Sequence, residues 1–260
     1  PDGRRILHSA QPEGRIHSEF EWLDPETGEQ TPVTSGLRIV PPFDPAHLVW
    51  RDDRQVLMPV IARAGSALAV LDTETGDVKE EVRWEAEHEG FSTDRTGRYV
   101  AQVRQAFNTQ DEVVVHDRET GETLQITHLN DAAVEALPGL TAEPFTIERN
   151  GHTIDAWLLK PADFDEAKQY PLVLDIHGGP AWWWGYRFEF LHRMLISRGF
   201  LVLFANPCGS HSYGPEFVQA VIEDWGGEDY LDLMAVMDEV TQRPYVDAGR
   251  TGVYGYSYGG

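Results

Sequence analysis

Thr251–Gly260 reads TGVYGYSYGG, a strand-like run that leads straight into a serine held between glycines: Gly255, Ser257 and Gly259 stand at G-x-S-x-G spacing. An extended segment ending in that pattern predicts a sharp strand-to-helix turn with a hydroxyl exposed at its tip. Glycines are needed there because the turn strains the backbone and brings neighbouring chain close to the serine. Taken alone the spacing is weak, arising by chance about once in ten chains of this length. Its neighbourhood decides how it is read.

Upstream of it, from Ala142, strands and helices alternate. EPFTIE, a turn at RNGH and TIDAWLL read as a β-hairpin. PLVLDIH and FLVLFAN are unbroken apolar runs, as buried strands are. Between them FEFLHRMLISRG places Phe188, Leu191, Leu195 and Ile196 at helical spacing, with Gly199 as the stop. EDYLDLMAVMDEV puts Tyr230, Leu233, Met234, Met237 and Val240 on one helical face, and its carboxylates are expected on a solvated face opposite. The order predicts a mostly parallel sheet with helices on both faces and Ser257 at a strand's C-terminal end.

The loop after the first buried strand carries a second signal, DIHGGP at Asp175–Pro180. Paired glycines let a backbone N–H face a bound substrate. Gly179, with Gly178 as the lesser candidate, and Tyr258, the residue after the serine, are the expected oxyanion donors around a nucleophilic Ser257. His177 is read as ordering its loop, because the general base of this arrangement follows the serine in the chain and all ten histidines precede it. Cys208 with His211 lacks the companions of a metal site, so no metal and no cofactor are expected. Trp182–Trp184 reads as packing or a pocket wall.

The first half is different. DPETG at Asp24–Gly28, DTETG at Asp72–Gly76 and DRETG at Asp117–Gly121 repeat a hairpin turn in which Asp caps its own backbone and Gly supplies a positive φ. A second turn type recurs out of phase as PDGRR (Pro1–Arg5), RDDRQ (Arg51–Gln55) and DRTGR (Asp94–Arg98). Two alternating turns at a period of about 45 residues predict four-stranded blades of a β-propeller. Asn130–Leu140 breaks the pattern as a short helix or linker. The expected division is therefore 1–138, the last blades of a propeller, and 139–260, the N-terminal part of an α/β domain.

The chain has 260 residues and a formal net charge of −22, with −13 in 1–138 and −9 in 139–260. Acidity spread this evenly repels phosphate backbones and anionic lipid, so neither nucleic acid nor membrane is an expected partner. The single cysteine fits a reducing, cytoplasmic setting.

YPLVLDIHGGP, ANPCGSHSYGPEF, DWGGEDYLDLMAVMDEV and RPYVDAGRTGVYGYSYGG together resemble the prolyl oligopeptidase family of serine peptidases, in its acylaminoacyl-peptidase branch. The resemblance is dense over Leu140–Gly260 and looser over the turn repeats. It implies a β-propeller joined to an α/β-hydrolase domain. It also implies Ser257 as nucleophile, Gly179 and Tyr258 as oxyanion hole, and short peptides as substrates, screened by the propeller, with homo-oligomers left open. Cys208 stands where the family usually has Arg, and Ser212 where Gly is usual. The family's triad Asp and His follow the serine, so they are expected beyond Gly260. An esterase or lipase on the same elbow, and a catalytically degenerate binding protein, are the alternative readings.

Overall fold

A computed structural model describes residues 3–41 and 48–260; Pro1 and Asp2 of the PDGRR turn lie outside the described residues. The first half forms three antiparallel meanders. They are β1 (Ile6–Ala10), β2 (Glu19–Leu23) and β3 (Gln30–Pro32); then β4 (Val49–Trp50), β5 (Gln55–Ala62), β6 (Gly65–Asp72) and β7 (Val78–Trp84); then β8 (Glu87–Thr93), β9 (Tyr99–Ala106), β10 (Thr109–Asp117) and β11 (Thr123–Gln125).

The repeated turns sit at one place in each meander, before its last strand. In all three the Asp carboxylate accepts the N–H groups two and three residues on, and the Gly has φ of 76–77°. The two turn types are also tied together. Arg54 of one grips Asp72 of the other, and Arg98 grips Asp117, each pair at 2.6 Å. The hydrogen bonds from these guanidiniums hold both carboxyls down to about 2. Adjacent meanders pack face to face. Phe20 joins Val56, Met58 and Leu71 between the first and second, and Val100 joins Leu57, Leu68 and Val70 between the second and third.

After α1 (Asp131–Glu135) a five-stranded sheet begins: β12 (Leu140–Arg149), β13 (His152–Pro161), β14 (Tyr170–Ile176), β15 (Leu201–Ala205) and β16 (Val246–Gly255), in the order β12-β13-β15-β14-β16. The sheet is mixed rather than mostly parallel. Asn150 and Gly151, with φ of 50° and 77°, fold β12 back on β13, and β13 runs antiparallel to β15. Only β15-β14 and β14-β16 are parallel. Three helices accompany the sheet: α2 (Phe190–Ser197), α3 (Pro215–Gln219) and α4 (Glu228–Thr241). Leu158, Leu172, Leu174, Leu201 and Leu203 pack with Leu233, Val236 and Val240 of α4. Alternate strand positions Trp157, Leu159, Val202 and Phe204 pack with Ile196 of α2, so opposite faces of the sheet carry different helices.

Two sequence expectations about the helices need correction. α2 begins at Phe190, after Phe188, and its inward face buries His192 and Arg193 alongside Ile196 and the half-buried Leu195. On α4, Asp229 and Asp232 are buried and Tyr230 is exposed, so its carboxylates do not all lie on a solvated face. Both helices bury polar groups because partners on distant segments satisfy them.

Candidate active site

β14 and β16 lie side by side in parallel and end in register, Ile176 opposite Gly255. The loops that leave them, His177–Gly179 and Tyr256–Ser257, therefore emerge together. A Cβ placed on Gly178 would stand 3.2 Å from the Tyr256 carbonyl and 3.5 Å from the Ser257 Cβ. The two motifs read separately in the sequence thus form one site.

Ser257 has φ of 59°, a left-handed conformation rare for a non-glycine residue, and it opens a single 3-10 turn, Ser257–Gly259, with its side chain on the exposed surface. The flanking glycines have a steric reason. A side chain on Gly255 would run into the Gly259 carbonyl, and one on Gly259 into the Ile176 carbonyl. Tyr256 is 79% exposed, so that position accepts any side chain.

Tyr258 is anchored rather than free. Its hydroxyl donates to the buried Asp229 carboxylate, and its ring meets Trp225 edge-on at 5.4 Å. Gly179 has φ of 127°, and a Cβ there would fall 2.7 Å and 2.9 Å from the N atoms of Ala181 and Trp182. No other residue type fits that bend without moving the loop.

His177 is buried, and burial pushes it down to about 4, so the ring is neutral at pH 7. Nδ1 lies 2.7 Å from the Gly178 carbonyl, which can only accept, so Nδ1 carries the proton; Nε2 lies 2.9 Å from the Ser210 hydroxyl, which also reaches the Pro207 carbonyl at 2.7 Å. The ring fastens the glycine loop and has no nitrogen left for Ser257. His192 makes a dyad-like contact with Asp175 at 2.6 Å, but both are buried against Phe204 and Trp184 on the α2 side of the sheet. Among the described residues no cluster of His, Cys, Asp and Glu could hold a metal ion.

Cys208 packs with Tyr213, Phe217 and Val221. Burial, with Asp232 beside it, pushes its thiol well above the usual range. Its N–H donates to Asp232, which also pairs with Arg149. Asp229 and Asp232 are the supporting residues that periodicity missed. A carboxylate pointing inward from an otherwise apolar helical face was the only signal for them.

A cavity of about 590 Å³ adjoins the glycine loop, lined among others by Gly179, Trp182, Ile222, Glu223 and Trp225 and closed on one side by Gln11 and Ile16 of the first meander. Trp182 thus serves as a pocket wall, while Trp183 is buried in the core. Another cavity of the same volume, lined by Arg38, Arg63, His152 and Ser212, does not reach the glycine loop, and Ser257 lines neither cavity.

Residues 186–260 match the family model described as the prolyl oligopeptidase family. The chain is 41% identical over 141 residues to an uncharacterized peptidase, YuxL, of Bacillus subtilis, covering 54% of this chain and 22% of that one. It is 26% identical to dipeptidyl-peptidase 5 of Porphyromonas gingivalis, across 100% of this chain and 38% of the relative. Among solved structures it resembles an acylaminoacyl peptidase in complex with Z-Gly-Gly-Phe-chloromethyl ketone (TM-score 0.80, 25% identity, 99% of this chain and 40% of that chain). The acylaminoacyl peptidase of Pyrococcus horikoshii is similar at a TM-score of 0.78, 25% identity and the same coverage. The chain spans two fifths or less of the length of these relatives. Residues 186–260, and the fold that carries them, are thus similar to the prolyl oligopeptidase family of peptidases.

Proposed function

We propose that the chain forms part of a serine peptidase that hydrolyses short peptides through an acyl-enzyme on Ser257. Residues 1–138 would be the last blades of a β-propeller, and 139–260 the first part of an α/β-hydrolase domain. Ser257 Oγ attacks the scissile carbonyl carbon, and its proton passes to a histidine contributed by sequence after Gly260. The N–H groups of Gly179 and Tyr258 hold the oxyanion. The C–N bond then breaks, the amine leaves with the histidine's proton, and water releases the acyl group by the same steps. The substrate would lie in the cavity beside Gly179, with apolar side chains against Trp182 and Trp225. A peptide fits better than a simple ester because the relatives are peptidases.

The observation that carries this reading is Ser257 at φ 59°, beside the glycine loop. The test is labelling of the full-length protein with a fluorophosphonate probe, followed by mapping of the modified peptide. Turnover of dipeptidyl and acyl-amino-acid p-nitroanilides is measured in parallel. The adduct is expected on Ser257, with turnover that the Ser257→Ala variant lacks. An unlabelled Ser257 in a protein that still hydrolyses peptides would overturn the assignment.

A further inference from the structure

The hairpin between β5 and β6 turns through two residues, Arg63 and Ala64, with φ of 46° and 66°. Such a turn favours Asn-Gly, and neither residue here is of that kind. The tip is also buried in the other half of the molecule. Ala64 is 3% exposed and packs with Trp157, Trp183 and Phe204. A side chain on Gly185 would strike its carbonyl.

What holds this tip is Ser212, the residue found where the family it resembles usually has glycine. Ser212 has φ of 74° and is 5% exposed. Its carbonyl accepts the Arg63 N–H and its hydroxyl accepts the Ala64 N–H, both at 3.2 Å. The Arg63 guanidinium reaches Asp155 at 2.8 Å. Three left-handed non-glycine residues thus meet at one contact between the halves, and each is held by the others.

Ser212 belongs to a buried stretch whose part Asn206–Ser212 braces the candidate site at both donors. On one side Ser210 holds His177, Asn206 bonds both the N–H and the carbonyl of Trp184, and the His211 N–H donates to the Trp182 carbonyl. On the other side the Cys208 N–H is bound by Asp232 of α4, one turn from the Asp229 that fixes Tyr258.

We infer that the Arg63–Ala64 tip is a positioning element: docked on Ser212, it holds the Asn206–Ser212 segment, and through it the His177–Trp184 loop, in the arrangement that catalysis requires. This rests on the reading of Ser257 as nucleophile and adds to it that the site is assembled only while the two halves are docked. Ser212 would hold its left-handed conformation through the two N–H groups it binds. With the hairpin withdrawn, that compensation is lost and the segment relaxes.

The experiment compares wild type, Ser212→Ala and Ser212→Gly in the full-length protein. Amide hydrogen exchange is followed over residues 177–184, and kcat and KM are measured for a peptide p-nitroanilide. Ser212→Ala keeps the strain but loses the hydroxyl acceptor. It is expected to speed exchange in 177–184 at least tenfold and to lower kcat about tenfold, with KM within a factor of two. Ser212→Gly removes the strain and keeps the carbonyl acceptor, so it should recover most of both losses. Unchanged exchange in 177–184 of Ser212→Ala overturns the inference whatever the activity. So does a kcat that falls only in proportion to the folded fraction. Failure of the nucleophile reading shows separately, as wild-type turnover that is absent or independent of Ser257.

Discussion

Ser257 pays for its exposed position with a backbone conformation that costs an L-residue roughly 1–2 kcal/mol. Ser257→Gly is therefore expected to raise the unfolding free energy by about 1 kcal/mol while lowering kcat by at least about 10⁴-fold, read by denaturant titration and p-nitroanilide turnover. Equal stability of the two proteins would show that the strain is relieved elsewhere. Gly179→Ala should lower kcat about 100-fold, because its methyl meets the backbone of Ala181 and Trp182 and turns an oxyanion donor away; undiminished kcat would remove Gly179 from the hole. His177 gives a pH signature. Its pKa falls from 6.5 unfolded to about 4 folded, so its contribution is fully present above pH 6.5 and is lost as pH falls through 4. The loss amounts to roughly 3 kcal/mol. In His177→Gln the pH slope of stability between 6.5 and 4 should be shallower by one proton, measured by chemical denaturation at several pH values.

The elements differ in how legible they were. The D-x-E-T-G turns declare themselves, because an Asp that caps its own backbone and a Gly at positive φ act within five residues. β14 and β15 are readable for a similar reason: strands buried on both faces run almost wholly apolar, with Asp175 the one polar break. The Ser257 elbow and the glycine loop were legible as motifs, but their adjacency depends on the register of β14 and β16, which no local pattern encodes. The mixed sheet was missed because strand direction follows from connections, not from composition. Asp232 on α4 was hidden for another reason: what satisfies it, Arg149 and the Cys208 N–H, lies 83 and 24 residues away. Asp232→Ala is expected to cost about 2 kcal/mol, since it strands the buried Cys208 N–H and leaves Arg149 with Glu228 alone. A thermal shift indistinguishable from wild type would mean water replaces the carboxylate.

At the scale of the molecule, the meanders and the mixed sheet are joined by charge as well as by packing. Arg187 forks onto Glu87 at 2.5 and 2.8 Å, with the carboxylate side chain 9% exposed. Arg193 reaches across from α2 to the Phe107 and Pro138 carbonyls and the Asn108 side chain. Arg187→Met leaves Glu87 charged and nearly dry, which should destabilise the docked state by about 3 kcal/mol, and adding Glu87→Gln should return part of it. Calorimetry of the full-length protein is expected to show one transition in wild type and two in Arg187→Met. A single transition in both would mean that the pair does not govern docking.

The burial of Cys208 has a practical consequence. A thiol that is 4% exposed and held in its protonated form is inert to alkylating reagents while its segment is closed. Modification must wait for that segment to open. The alkylation rate of the peptide containing Cys208, followed by mass spectrometry, is therefore a native clock for breathing of Asn206–Ser212, and needs no introduced label.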